Sequence, residues 1–116
     1  MTVTIYGIRN CDTMRRAFAW LREQGIDYTF HDYKSAGIAR DALDRWCDAA
    51  GWETLLNRNG TTFRRLPDHA KADLDRDKAI GLMLEHTSLI KRPILELRDA
   101  LEIGFRPARY AELLDA

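Results

Sequence analysis

The chain has 116 residues, 46% of them hydrophobic, with 18 Lys and Arg balanced by 18 Asp and Glu, a composition that suits a soluble globule and excludes a disordered or fibrous chain. That length predicts one domain over 1–116 built on a single core. Zero formal net charge points to no polyanionic partner, and the absence of a basic n-region with a long apolar run, or of about 18 consecutive apolar residues, predicts no membrane span and a cytoplasmic setting.

Val3, Ile5 and Tyr6 form an apolar, β-branched run that stops at Gly7, predicting a strand over residues 2–6 and then a loop. Met14, Ala17, Phe18 and Leu21 recur at helical spacing before Gly25, which predicts a helix over 12–24. Tyr28, Phe30 and Tyr33 within IDYTFHDY suggest a second strand, parallel to the first because a helix crosses between them. Leu43, Trp46, Cys47 and Ala50 mark an amphipathic helix over 38–50, closed by Gly51. The stretch 51–67 lacks a sustained period and reads as a turn, a short helix and a loop. Ile80, Leu82, Met83 and Leu84 predict a helix over 73–86. Ile94, Leu95 and Leu97, then Leu101, Glu102 and Ile103, flank the turn-like 98–100 and predict an antiparallel hairpin. The segment 107–114 reads as a closing helix with proline in its first turn. Together these elements predict an α/β chain with a mixed sheet.

Two cysteines make no disulfide framework. Cys11 falls where a strand and loop lead into a helix, and there backbone N–H groups without intrahelical partners and the positive end of the helix dipole favour a thiolate. Free cysteine ionises near pH 8.5, whereas a helix N-terminus with nearby cations lowers this to roughly 3.5–7.5. Arg9 and Arg15 are the cations closest in sequence, and the Thr13 hydroxyl is a candidate donor to the sulfur or cap for the helix. The polar Arg-Asn-Cys-Asp-Thr loop is a poor place for an inert buried thiol, so Cys11 is read as a nucleophile. Cys47 shares an apolar helix face with Leu43 and Trp46 and is read as core. Met14 occupies the place of the second cysteine of a C-x-x-C motif, so a mixed disulfide at Cys11 needs an outside thiol. Glutathione is the natural cytosolic candidate, with arginines to meet its carboxylates.

Arg92-Pro93, just before the third apolar run, is a second candidate element, because an X-Pro bond there can be cis and expose backbone beside the thiol. Arg106 is either a further anion contact or a solvated charge. His31, in a predicted strand, reads as a structural hydrogen-bonder. The histidines and cysteines show no zinc-ligand spacing, so no metal is expected. No Walker A or GxGxxG motif occurs, and the basic residues lack the aromatic interleaving of nucleic-acid modules.

YGIRNCDT at the first loop, HDY at 31–33, LLNRNGTTFR at 55–64 and IKRPI at 90–94 occur in this order, and on them the chain resembles the arsenate reductase (ArsC)/Spx family, most closely its YffB-like branch, over essentially its whole length. The resemblance implies a thioredoxin-like fold with a helical insertion after the second strand, a cis-proline at Pro93 and a reactive Cys11. Family members that reduce arsenate flank their cysteine with three arginines; Arg92 and Arg106 match two of these, while the third falls on Asn57, beside Arg58. Their histidine ahead of the cysteine loop is Gly7 here, and the C-x-x-C switch of Spx-like members is broken by Met14. The expected function is therefore a glutathione-dependent thiol-disulfide reductase with one nucleophilic cysteine, Cys11, assisted by Thr13, with Arg15, Arg92, Pro93 and Arg106 on the substrate or anion side. No tightly bound cofactor is expected; the expected partners are glutathione or another small thiol, a glutaredoxin or a protein disulfide. The alternatives are arsenate reduction and a non-catalytic, Spx-like role in transcription.

Overall fold

The computed structural model describes residues 2–116. In chain order the elements are β1 (Thr4–Gly7), α1 (Asp12–Glu23), β2 (Thr29–Asp32), α2 (Tyr33–Ala36), α3 (Arg40–Ala50), α4 (Trp52–Leu55), α5 (Thr61–Arg64), α6 (Asp68–Lys71), α7 (Arg76–Glu85), a 3-10 turn (Thr87–Leu89), β3 (Ile94–Glu96), β4 (Leu101–Ile103) and α8 (Pro107–Leu114). They form two compact units, one built from the residues up to Ala36 with Arg92–Ala116, the other from Gly37–Lys91.

The first unit carries the sheet, in the order β2-β1-β3-β4. β1 pairs in parallel with β2, Gly7 opposite Asp32, and antiparallel with β3, Ile5 opposite Leu95. β3 and β4 form the expected antiparallel hairpin, closed by Leu97 N–H on the Ala100 carbonyl at 2.8 Å. A βαβ half joined to a ββα half around a central β1, with Arg92-Pro93 cis ahead of β3, is the thioredoxin-like arrangement. Val3 and Ile5 alternate inward along the first strand, and with Met14, Ala17 and Leu21 of α1, Leu95, Tyr110 and Leu114 they make one buried cluster. Phe18 adds an edge-to-face contact with Phe30 at 4.9 Å and a stacked one with Tyr28 at 5.5 Å.

Local chemistry sets the ends of the elements. α1 stops in a Schellman motif, with Gly25 at φ +68°, its N–H on the Arg22 carbonyl and the Ile26 N–H on the Leu21 carbonyl, both at 3.0 Å. Tyr33, expected in the second strand, instead starts α2. The reason is Asp32, whose Oδ1 accepts from the Lys34 N–H at 3.0 Å and the Ser35 N–H at 3.4 Å and so ends the strand. Likewise the helix expected from residue 73 begins at Arg76, because Asp75 caps it by accepting from the Lys78 N–H at 2.8 Å.

The second unit is built from helices, with one isolated antiparallel bridge between Leu56 and Ile90. It carries the buried Leu43, Trp46 and Cys47 of α3 and the buried Leu55, Ile80 and Met83. Where a turn, one short helix and a loop were expected, two single-turn helices form, α4 and α5, and α6 follows directly. Arg76 joins α7 to α3, meeting Asp48 at 2.7 Å and Asp44 at 3.3 Å, two carboxylates one turn apart. Asn57 N–H donates to the Leu89 carbonyl at 2.7 Å and Lys91 N–H to that of Leu55 at 3.0 Å, which ties the loop after α4 to the segment leading out of the unit.

Candidate active site

Cys11 is the N-cap residue of α1, in extended conformation (φ −113°, ψ 134°), its carbonyl accepting the Arg15 N–H at 2.9 Å. Asn10 before it lies in the left-handed region at φ +67°, a conformation asparagine tolerates better than most side chains, and this turns the chain from the strand into the helix. An N-cap side chain faces the free N–H groups of the second and third helical residues. Here that side chain is a thiol, a weak acceptor when neutral and a strong one when ionised, and the neutral thiol does not close the cap as a hydroxyl or carboxylate acceptor would.

The half-buried Cys11 is held below its ordinary pKa. Burial opposes ionisation, but the Met14 N–H, a hydrogen bond from Arg92, the Thr13 N–H and the Arg92 charge outweigh it. Arg92 also donates to the phenol oxygen of Tyr33, which is wholly enclosed and pushed well above its ordinary pKa by burial, so it stays protonated. Cys11, Arg92 and Tyr33 thus converge from the N-terminus of α1, the segment before β3 and the start of α2.

The other expected site residues are placed as follows. Thr13 contributes its backbone N–H, while its hydroxyl accepts from Arg16 at 3.4 Å. Arg15 is paired with Asp12 at 2.5 Å, and Arg9 with Asp32 at 3.8 Å while lying over the Phe30 ring at 5.5 Å. Arg106 donates twice to the buried Glu102, at 2.7 and 3.0 Å. Pro93 is buried and its carbonyl accepts the Gly104 N–H at 2.8 Å. His31 packs its ring on Tyr6 at 5.3 Å. Met14 is wholly buried, its thioether lying against Gly7. In the second unit Cys47 is buried, which pushes its thiol up, Asn57 accepts from the Asn59 N–H at 3.1 Å and Arg58 lies over the Trp52 ring at 5.1 Å. Among the described residues no three His, Cys, Asp or Glu side chains gather as a metal site would require. Sequence reasoning missed Tyr33 as a member of the site; the signal available was the HDY tripeptide, read as strand and as a family motif with no role given to its tyrosine.

The model of the ArsC family matches residues 6–113. An arsenate reductase of Rhizobium meliloti is 32% identical over 118 residues, covering 98% of this chain and 79% of that protein. A global transcriptional regulator, Spx 2 of Bacillus anthracis, is 30% identical over 115 residues, covering 97% of this chain and 86% of that one. A solved structure of a protein called YffB is 55% identical and superposes with a TM-score of 0.93 over 96% of this chain and 97% of its own.

Proposed function

The chain belongs to the ArsC family, and we propose that it is a glutathione-dependent thiol-disulfide reductase working through Cys11 alone. The observation that carries this reading is the convergence of Arg92 and two free N–H groups of α1 on the Cys11 sulfur, which favours the nucleophilic thiolate over the thiol. The thiolate bonds to one sulfur of a disulfide and expels the other as a thiolate. With a glutathione mixed disulfide as substrate, the sulfur retained on Cys11 is the glutathionyl one; a free glutathione thiolate attacks it, frees Cys11 and leaves as glutathione disulfide, so glutathione is oxidised as the substrate thiol is released. Buried Met14 stands where a C-x-x-C resolving cysteine would be, and the only other cysteine, Cys47, has its thiolate disfavoured by burial. No described helix is long and apolar enough to cross a membrane, and the reducing cytoplasm, with its glutathione, is the compartment in which this cycle runs.

The test is turnover of a glutathione mixed disulfide by the full chain. Cys11→Ser abolishes it and Cys47→Ser leaves it largely intact; equal loss in a folded Cys47→Ser protein would sink the single-thiol scheme. A second reading, arsenate reduction, is favoured by Arg92 beside the thiol and by the named relative in Rhizobium meliloti. It requires arsenate-dependent consumption of glutathione, and no consumption at high enzyme concentration removes it.

A further inference from the structure

In α2 the residues Lys34, Ser35 and Ala36 are exposed, and Tyr33 alone is fully enclosed. Its placement is built from the sheet outward. Asp32 is fixed opposite Gly7 in the β1–β2 register, caps α2 through Oδ1, and pairs through Oδ2 with Arg9 at 3.8 Å. That turn brings the phenol oxygen into a hydrogen bond with the guanidinium that serves the Cys11 sulfur. A guanidinium has five N–H donors in one plane, so one arginine can serve both acceptors, and each contact restrains a long side chain that otherwise keeps much rotamer freedom.

We propose that Tyr33 is a positioning residue of the active site: its enclosed phenol oxygen anchors the Arg92 guanidinium against the Cys11 sulfur. Tyr33 acts through Arg92. The charged neighbours leave this role open, since Arg9 is taken by Asp32 and Arg15 by Asp12. From α1 the thiol is faced by the Met14 and Thr13 N–H groups, and the charged and titratable groups acting on Tyr33 include Arg92, Cys11 and Asp32.

The inference rests on Cys11 being a poised thiolate, and the experiment separates the two. In the full chain carrying Cys47→Ser, the pH midpoint of Cys11 alkylation by iodoacetamide is measured for the parent, Tyr33→Phe, Arg92→Ala and the double variant, with circular dichroism to confirm folding. Phenylalanine keeps the buried ring and removes the phenol O–H, acceptor and donor together, and the Arg92→Ala background isolates the part that acts through Arg92. The expected result is an upward move of the midpoint in Tyr33→Phe, with the thiolate fraction below both midpoints falling about two- to tenfold, the range one intramolecular hydrogen bond supplies. In the Arg92→Ala background the same change should move nothing further. A low parent midpoint that stays put in Tyr33→Phe, or an equal move without Arg92, overturns the role of Tyr33. An ordinary midpoint in the parent refutes the reductase reading instead.

Discussion

Gly7 ends β1 at the entrance to the cysteine loop, and a methyl group placed on it would lie 2.4 Å from the Met14 Sδ and 2.6 Å from its Cε. Carbon atoms pack best at roughly 3.5–4.0 Å, so alanine here drives more than an ångström into the thioether. The end of a methionine side chain is flexible and can swing aside in open space. Met14, however, is wholly buried in the cluster with Val3, Ile5, Ala17 and Leu95, so the swing must displace packed neighbours. Overpacking of this kind costs about 1–3 kcal/mol. Gly7→Ala should therefore lower the free energy of unfolding by that amount in urea denaturation, with an unchanged slope. Met14→Ala alone should also destabilise, through its cavity, but in the double variant the new methyl fills part of that cavity, and the two losses should fall short of their sum by about 1 kcal/mol or more. A Gly7→Ala loss below about 0.5 kcal/mol, a change usual for a surface site, or strict additivity with Met14→Ala, would refute the reasoning. The same contact bears on specificity, since by family resemblance arsenate reductases carry a histidine at this position, and Met14 fills the space its first atom needs.

Arg106→Ala should destabilise the protein by about 1.5–3 kcal/mol, the worth of hydrogen bonds to a charged group, because Glu102, 8% exposed in its side chain, would keep only Arg109 at 3.7 Å; unchanged stability in urea with a raised KM for an anionic substrate would assign Arg106 to binding instead. The depressed Cys11 pKa also makes a linkage prediction. The unfolded thiol ionises near pH 8.5 and the native one lower, so between the two values the unfolded chain binds more protons and stability rises with pH. Measured against Cys11→Ser, the parent should gain stability through that window, hold it above the unfolded value and lose it as pH falls through the native one; a difference independent of pH would refute the depressed value.

The fold was legible where burial repeats with a period. The inward positions of β1, the Met14, Ala17 and Leu21 stripe of α1 and the proline-led α8 all follow from local pattern, as does the hairpin around 98–100. The errors fall where one carboxylate decides. Asp32 and Asp75 each accept backbone N–H groups and so end a strand early and start a helix late, and neither outweighs its apolar neighbours in a hydrophobic pattern. The segment after Gly51 was illegible because its single-turn helices bury at most one residue each, too few to set a period.

The site divides along the same line. That Cys11 heads a helix follows from adjacency in the chain, and so did the expectation that Arg9, Arg15 and the Thr13 hydroxyl would act on it. Adjacency misleads for charges. An exposed arginine one helical turn from a carboxylate takes the nearest partner, as Arg15 takes Asp12, and Arg9 finds Asp32 one strand over. The cation left to act on the sulfur is Arg92, 81 positions away in sequence and delivered by the β1–β3 pairing that sets the segment before Ile94 beside the end of β1. A thiolate supported this way depends on the sheet register as well as on the N–H groups of its own loop. Substitutions within the loop that spare the backbone N–H groups, Thr13→Ala among them, should therefore perturb Cys11 less than loss of Arg92.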